Sequence, residues 1–119
     1  MDLNRYAKEI PGCKKIIAND FLERAVKAID HNIQANGVQD KVIASHADAA
    51  ELMSRHKHPD KRFDIIDLDP YGAPVQFLDG AIQSVADGGL LCVTCTDMVR
   101  FFSNSYYISR LVCGPTIIF

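Results

Sequence analysis

Short apolar runs alternate along this chain with segments of helical periodicity, and this alternation restricts the fold more than any other feature. The runs occupy residues 14–19, 41–45, 63–68 and 90–96. Parallel strands need crossover connections of a dozen or more residues, and the helical segments between the runs are long enough to supply them. The sequence therefore predicts an α/β fold in which helices cover both faces of a parallel sheet.

Turn signals set the boundaries of the predicted helices. Residues 4–10 have the pattern of the last turns of a helix, which a Pro-Gly pair ends. A second helix is predicted from Phe21 to an Asn36-Gly37 stop, a third begins after Asp48, and a fourth runs from about Pro74 through Val85. Residues 98–119 have no sustained period, so no element is predicted there.

Acidic residues follow all four predicted strands. They are Asp20, Asp48, Asp67 with Asp69, and Asp97. Aspartate is a good helix-capping and turn residue, and for any single position that interpretation is the better one. Ligands in open parallel sheets bind beyond the carboxyl ends of the strands, so four acidic ends together favour a functional site.

The first two acidic ends have the chemistry of an adenosine pocket. Asp20 closes its strand where a carboxylate can accept hydrogen bonds from the two hydroxyls of a ribose. Asp48 follows the next strand along the chain, where it can accept from an adenine amino group while the Ala49 amide donates to a ring nitrogen. These residues predict a nucleoside-binding site.

Asp69-Pro70-Tyr71 has the chemistry needed to hold the acceptor of a methyl group. The nitrogen lone pair of an exocyclic amine on a base is delocalised into the ring, so a methyl acceptor of this kind needs its protons held by hydrogen-bond acceptors. The Asp69 carboxylate and the Pro70 carbonyl can hold them, and Tyr71 offers a flat face for the base. A sulfonium methyl donor is already activated, so no metal is required.

Composition limits the class of protein. The 119 residues suffice for one domain, and 48% hydrophobic with 24% charged residues is globular rather than disordered composition. The formal charge of -2 excludes a global basic excess, so any RNA-binding surface is local or absent. Four cysteines without a secretory signal favour a reducing compartment, and no apolar run approaches the roughly 18–20 residues of a membrane span.

Three longer strings carry a family resemblance. They are RYAKEIPG at residues 5–12, FDIIDLDPYG at 63–72 and GGLLCVTCTDM at 88–98. In combination they resemble the tRNA (guanine-26-N(2)) dimethyltransferases, with Asp-Pro-Tyr-Gly as a variant of the motif for exocyclic amines. The resemblance implies a Rossmann-like class I methyltransferase that transfers two methyl groups from S-adenosylmethionine to the amino nitrogen of a guanine in tRNA. It implies catalytic roles for Asp69, Pro70 and Tyr71 and donor-binding roles for Asp20, Asp48 and Ala49.

The sequence also departs from the family pattern. The family's first strand, at the centre of its sheet, and its later strands and tRNA-contacting domain have no counterpart in this chain. We expect residues 1–98 to form a partial methyltransferase domain and 99–119 a divergent tail. We also expect the two sheet edges beside the first strand to be exposed or to pair with each other, which favours self-association. The isolated chain is then at best a weak binder without turnover, and its contacts with tRNA lie largely outside it. By family the protein is intracellular, in the nucleus or a mitochondrion, without membrane association.

Other interpretations of the same pattern are weaker. A noncatalytic binding or regulatory module of receiver-like or nucleotide-binding type has a similar alternation, but a receiver domain needs a lysine on a late strand, and no lysine follows Arg62. A dinucleotide oxidoreductase lacks its Gly-x-Gly-x-x-Gly here. Cys92 and Cys95 have the spacing of a metal or redox pair, but on a strand their sulfurs point to opposite faces, and no second pair completes four ligands.

Overall fold

The computed structural model describes the backbone of residues 3–94 and 116–118. The helices are α1 (Leu3–Glu9), α2 (Glu23–Asn36), α3 (Ala49–Ser54) and α4 (Val75–Ser84), with a short 3-10 turn at Pro59–Lys61. The strands are β1 (Lys15–Asp20), β2 (Val42–His46), β3 (Phe63–Leu68), β4 (Val85–Val93) and β5 (Thr116–Ile118). The predicted alternation of strands and helices is confirmed along the described chain.

The five strands form one parallel sheet in the order β2-β1-β5-β3-β4. On one face α1 and α2 pack Ala7 and Ile33 into a cluster with Ile16 of β1. On the other face α3 and α4 pack Met53 and Ala81 against β3. Helices therefore cover both faces, as predicted for an α/β fold.

Successive side chains of a strand point to opposite faces of the sheet, so β1 and β3 contribute to both hydrophobic clusters. Ile16 and Ala18 are fully buried on the α1–α2 side, and Ile17 between them packs on the other cluster. In β3 the pairing register with β4 shifts between Phe63 and Ile65. Phe63 joins the α3–α4 cluster and Ile65, two residues later, joins the other one, so the change of face coincides with this irregularity.

The fourth strand begins earlier than the sequence predicts. Val85 was expected on the apolar side of the last helix, but α4 ends at Ser84, whose hydroxyl donates to the Gly80 carbonyl at 2.7 Å. Val85 instead pairs with Phe63 at the start of β4. A β-branched residue at a helix end fits either element, and pairing with β3 decides between them.

Gly89 of β4 has no room for a side chain. A Cβ atom there would lie 2.7 Å from the Asp64 carbonyl oxygen and 2.9 Å from that of Ala86. We expect Gly89→Ala to lower the free energy of unfolding by about 1–3 kcal/mol, because backbone atoms of two strands must move. Gly80→Ala is the matched control, since its Cβ would meet only the Met53 side chain, at 3.4 Å from Cε and 3.6 Å from Cβ. Equal urea midpoints for the two variants would contradict the prediction.

The centre of the sheet corrects a prediction. The edges of β1 and β3 were expected to be exposed or to pair with each other, and no element was expected in residues 98–119. Instead β5 lies between them, with Ile117 opposite Ile16 on one side and Ile65 on the other. Two strands that offer unpaired backbone groups to one gap can hold a strand of three residues, which is too short for a periodicity signal. The residues of β1 and β3 that pair with β5 are not at an exposed edge. Along those residues, an exposed edge no longer gives a reason to expect self-association.

Candidate active site

The six residues assigned to the site from the sequence line one cavity at the carboxyl ends of β1, β2 and β3. Its volume is about 410 Å³, within the range of small-molecule sites. The lining residues that the sequence singled out are Asp20, Asp48, Ala49, Asp69, Pro70 and Tyr71. The parallel strands bring these residues together from three separate stretches of the chain.

Asp20 has one carboxylate oxygen available to a ligand. Its Oδ1 accepts a hydrogen bond from the Leu22 amide at 2.8 Å, which stabilises the turn into α2. No described residue donates to its Oδ2. The structural and the functional interpretation of this aspartate are thus compatible, because each uses a different oxygen.

At the start of α3, the two carboxylate oxygens of Asp48 likewise differ in their hydrogen bonds. Its Oδ1 accepts from the amides of Ala50 at 2.7 Å and Glu51 at 3.3 Å, so it is the N-cap that the sequence predicts. Its Oδ2 receives no hydrogen bond from the described residues. Ala49 is the first residue of the helix, and its N–H therefore has no acceptor within the helix.

The Asp69-Pro70-Tyr71 turn also lines the cavity. Asp69 is exposed and makes no hydrogen bond with the described residues, so its carboxylate is available to an amine. The Tyr71 side chain is fully exposed at 103% and lines the cavity. Gly72 has a φ of 91°, a left-handed conformation that lets the chain turn sharply after the tyrosine.

Five further residues line the cavity and were not assigned to it from the sequence. They are Asn19, Phe21, Ala47, Leu68 and Phe77. Phe21 is 70% exposed, directly after Asp20, so its place after an acidic strand end was a usable signal. Asn19 donates from Nδ2 to the Ala47 carbonyl at 3.0 Å, a link between β1 and the loop after β2 that no sequence pattern indicates.

The other strand-end aspartates do not line the cavity in the described residues. Asp67 is only 1% exposed and accepts a hydrogen bond at 3.0 Å from the Tyr6 hydroxyl of α1. Burial is the main cause that raises the pKa of Asp67, and the Tyr6 bond opposes it. Burial first, and then the bond to Asp67, raise the pKa of Tyr6 to about 12. Asp97 lies outside the described residues.

Cys92 and His56 are side chains of types that can take part in metal or redox chemistry, and the structure describes the surroundings of both. The described part of the chain contains no group of three or more His, Cys, Asp or Glu side chains placed to hold a metal ion. Burial is the first cause that raises the pKa of the Cys92 thiol, followed by the nearby Asp67, so the reactive thiolate is disfavoured. Cys95 lies outside the described residues. His56 has a structural place, with Nδ1 2.7 Å from the Leu52 carbonyl oxygen and its ring 4.4 Å from that of Phe63.

Comparison with known proteins decides the family. The model of the N2,N2-dimethylguanosine tRNA methyltransferases matches residues 4–106. The chain belongs to this family. The resemblance stated from residues 5–12, 63–72 and 88–98 is thereby confirmed.

Three relatives illustrate the similarity to dimethyltransferases. The human tRNA (guanine(26)-N(2))-dimethyltransferase is 54% identical over 101 residues, which are 85% of this chain and 15% of the relative. The mouse protein of the same name is 52% identical over 101 residues, again 85% of this chain and 15% of the relative. The mitochondrial protein of that name from Saccharomyces cerevisiae is 47% identical over 102 residues, 86% of this chain and 18% of its own length. The chain thus spans less than a fifth of these family members.

Two further observations complete the comparison. No solved structure matches the chain. Among the helices that the structure describes, none has both the length and the apolar composition needed to cross a membrane.

Proposed function

We propose that this chain carries the methyl-donor site and the amine-holding turn of a tRNA (guanine-26-N(2)) dimethyltransferase with a Rossmann-like class I fold. The observation that carries the proposal is the single cavity shared by Asp20, Asp48 and Asp69. Family membership supports the same chemistry. The substrate is the exocyclic amino nitrogen of a guanine in tRNA, and two methyl groups are transferred in turn.

The donor side fits S-adenosylmethionine through its nucleoside. The Asp20 Oδ2, which no described residue uses, accepts from the ribose hydroxyls, and the Asp48 Oδ2 accepts from the adenine amino group. The Ala49 amide donates to an adenine ring nitrogen. Phe21, which follows Asp20 on the cavity wall, supplies apolar surface beside the purine. When bound, the donor supplies a methyl group on a positively charged sulfur, which needs no metal for activation.

The acceptor side holds the amine in position for attack. The Asp69 carboxylate and the Pro70 carbonyl accept hydrogen bonds from the two amino protons, which localises the nitrogen lone pair toward the methyl group. The exposed Tyr71 ring stacks on the base. Transfer would form the N–C bond and break the bond between the methyl carbon and the sulfonium sulfur, with neutral S-adenosylhomocysteine as the leaving group. The nitrogen becomes more acidic as it is methylated, and Asp69 would accept the proton that it loses. Positioning and charge stabilisation provide the catalysis.

The polypeptide by itself is expected to bind weakly and not to turn over. It spans about 15% of its human and mouse relatives, and its tRNA contacts are proposed to lie largely in regions beyond this sequence. Incubation of the purified chain with tRNA and labelled donor tests this directly, since methyl transfer would contradict the expectation. An intracellular location, nuclear or mitochondrial, is proposed from the family alone.

Donor binding can be tested without catalysis. S-adenosylhomocysteine is expected to raise the melting temperature of the chain, whereas a nicotinamide cofactor should leave it unchanged. Asp20→Asn should weaken S-adenosylhomocysteine binding about tenfold, because a neutral amide accepts the ribose hydroxyls less strongly. The asparagine oxygen can still accept from the Leu22 amide, so the unliganded melting temperature should change little. Equal stabilisation of wild type and variant would remove Asp20 from the donor site.

A further inference from the structure

The connection between β2 and α3 is a short turn, and both of its residues line the cavity. The strand ends at His46 and the helix begins at Ala49, so Ala47 and Asp48 make the whole turn. One end of the turn is fixed by the pairing of His46 with Asp20 of β1, and the other by the N-cap bonds of α3. The direction of the Asp48 side chain and of the Ala49 N–H therefore depends on the peptide group between these two ends.

The Asn19 side chain holds that peptide group from the neighbouring strand. Its Nδ2 donates to the Ala47 carbonyl at 3.0 Å, and Asn19 itself lines the same cavity. Because a peptide group is planar, a bond to the Ala47 carbonyl also fixes the direction of the Asp48 N–H, which belongs to the same peptide group. The bond therefore helps to set the position of Asp48, which is proposed to accept from the adenine amino group.

The unpartnered oxygen of Asn19 indicates a role other than stability. Its Oδ1 is buried and accepts no hydrogen bond from any residue that the structure describes. A buried acceptor without a donor costs free energy, which offsets what the Nδ2 bond contributes to the fold. Rotation of the amide would not remove this cost, since it would set Oδ1 against the Ala47 carbonyl, which is also an acceptor. What asparagine supplies at this position is a donor for one carbonyl beside the cavity.

We propose that Asn19 is a positioning residue that determines the specificity of the donor site for adenine. By holding the Ala47 carbonyl, it places the Asp48 Oδ2 and the Ala49 N–H so that together they recognise the amino group and the neighbouring ring nitrogen of the base. This role rests on the proposed function, since it requires that Asp48 and Ala49 bind the base of the donor.

Hypoxanthine in place of adenine reverses both of these hydrogen bonds. The amino donor becomes a carbonyl oxygen, which would face the Asp48 carboxylate, and the neighbouring ring nitrogen gains a proton, which would face the Ala49 N–H. A turn that is held in place rejects such a base, because two donors and two acceptors would then oppose each other. A turn that can move adapts to either base and loses the discrimination.

Ligand binding to the whole chain tests this role, with S-adenosylhomocysteine and S-inosylhomocysteine as the two probes. We expect the wild type to bind the adenosyl compound at least about tenfold more tightly than the inosyl compound in calorimetric titrations. In Asn19→Leu, which keeps the branching of the side chain but has no donor, the ratio of the two dissociation constants should fall below about threefold. The melting temperature without ligand should change little, because the lost bond and the lost unpartnered oxygen offset each other.

Asn36→Leu is the matched control. Asn36 Nδ2 donates to the Asn32 carbonyl at 2.9 Å, so the same kind of bond is lost, but Asn36 is the last residue of α2 and does not line the cavity. The control should keep the wild-type ratio of dissociation constants. Asn19→Ala is measured beside Asn19→Leu, since it adds no volume to the site, and it should lower the ratio in the same way.

Three results would overturn the positioning role alone. One is an unchanged ratio in both Asn19 variants, and another is an equal weakening of both ligands, since a general loosening of the site does not change a ratio. The third is loss of the unliganded fold in both variants, which would make the Asn19 side chain structural. If the wild type bound neither ligand, or bound both equally, the proposed donor site would itself be wrong and the positioning role with it.

Discussion

Replacement of Asp69 by asparagine is expected to abolish methyl transfer while donor binding persists. Since the chain spans about 15% of its human relative, activity is best measured after the matching 101 residues of that relative are exchanged for those of this chain. With the wild-type segment, we expect this chimera to methylate tRNA from labelled S-adenosylmethionine. With Asp69→Asn, its kcat should fall by about 10²–10³-fold.

The expected size of this loss follows from the position of the Asp69 carboxylate. Asp69 is exposed in the cavity and makes no hydrogen bond with the described residues, so its substitution breaks none there. Besides burial, which is the main cause, the charge of Asp69 also raises the pKa of the nearby Asp67, and asparagine removes that effect. An asparagine can still accept one hydrogen bond from an amine, but it cannot take up the proton that the nitrogen releases. The loss should therefore appear in kcat, with a small change in KM for the donor.

Asp40→Asn is the matched control for Asp69→Asn. Asp40 is also exposed, but it precedes β2 and so lies at the opposite end of the sheet from the cavity. The control should retain activity within about twofold, as surface substitutions usually do. If the chimera with Asp69→Asn also retained activity within that range, the assignment of Asp69 as the amine-holding residue would be wrong. An inactive wild-type chimera would contradict the proposed function as a whole.

The grouping of Asp20, Asp48 and Asp69 around one cavity was predictable because these residues come at strand ends. Asp20, Asp48 and Asp69 lie far apart in the sequence, yet each comes at or just after an apolar run, and parallel strands end at the same edge of a sheet. No knowledge of loop geometry was needed for that step. The capping role of Asp48 was predicted as well, and its hydrogen bonds to Ala50 and Glu51 confirm it.

The features that were missed depend on contacts between distant residues. The place of β5 is decided by the backbone groups of β1 and β3, and a stretch of three residues leaves no local signal. The start of β4 at Val85 depends on pairing with Phe63, which local helical spacing cannot reveal. The burial of Asp67 beneath α1 depends on Tyr6, which is 61 residues away in the sequence. Local patterns therefore place the elements and their ends, while packing decides their lengths and partners.

Tyr6→Phe is expected to destabilise the fold in a pH-dependent manner. The Tyr6 hydroxyl is the one described donor to the buried Asp67 carboxyl, at 3.0 Å, and it opposes the rise in the pKa of Asp67 that burial causes. Its removal leaves a buried carboxylate without a donor. At pH 7 we expect the free energy of unfolding to fall by about 1–3 kcal/mol, the cost of leaving a buried polar group without its partner, as measured by urea denaturation.

The sign of the pH dependence follows from linkage. The pKa of Asp67 is raised in the folded state, so the fold binds this proton more tightly than the unfolded chain does. Its contribution to stability is therefore greatest below the ordinary pKa of 3.8 and is lost as the pH rises through the folded pKa. Tyr6→Phe raises that folded pKa further and increases the loss. The difference between wild type and variant should accordingly be large at pH 7 and should shrink toward pH 4.

Tyr71→Phe separates this effect from the general effect of losing a phenol. The Tyr71 side chain is fully exposed, so its hydroxyl contacts water in both the folded and the unfolded state. Its loss should therefore change stability by less than about 0.5 kcal/mol at either pH.

Wild type should differ from Tyr6→Phe in a second way at alkaline pH. The pKa of Tyr6 is raised from 10.0 to about 12, so its contribution to stability is lost as the pH rises through that range, whereas phenylalanine has no such titration. A destabilisation by Tyr6→Phe that is equal at pH 4 and pH 7 would show that the charge on Asp67 is not what the tyrosine stabilises, and the pair would then contribute through packing alone.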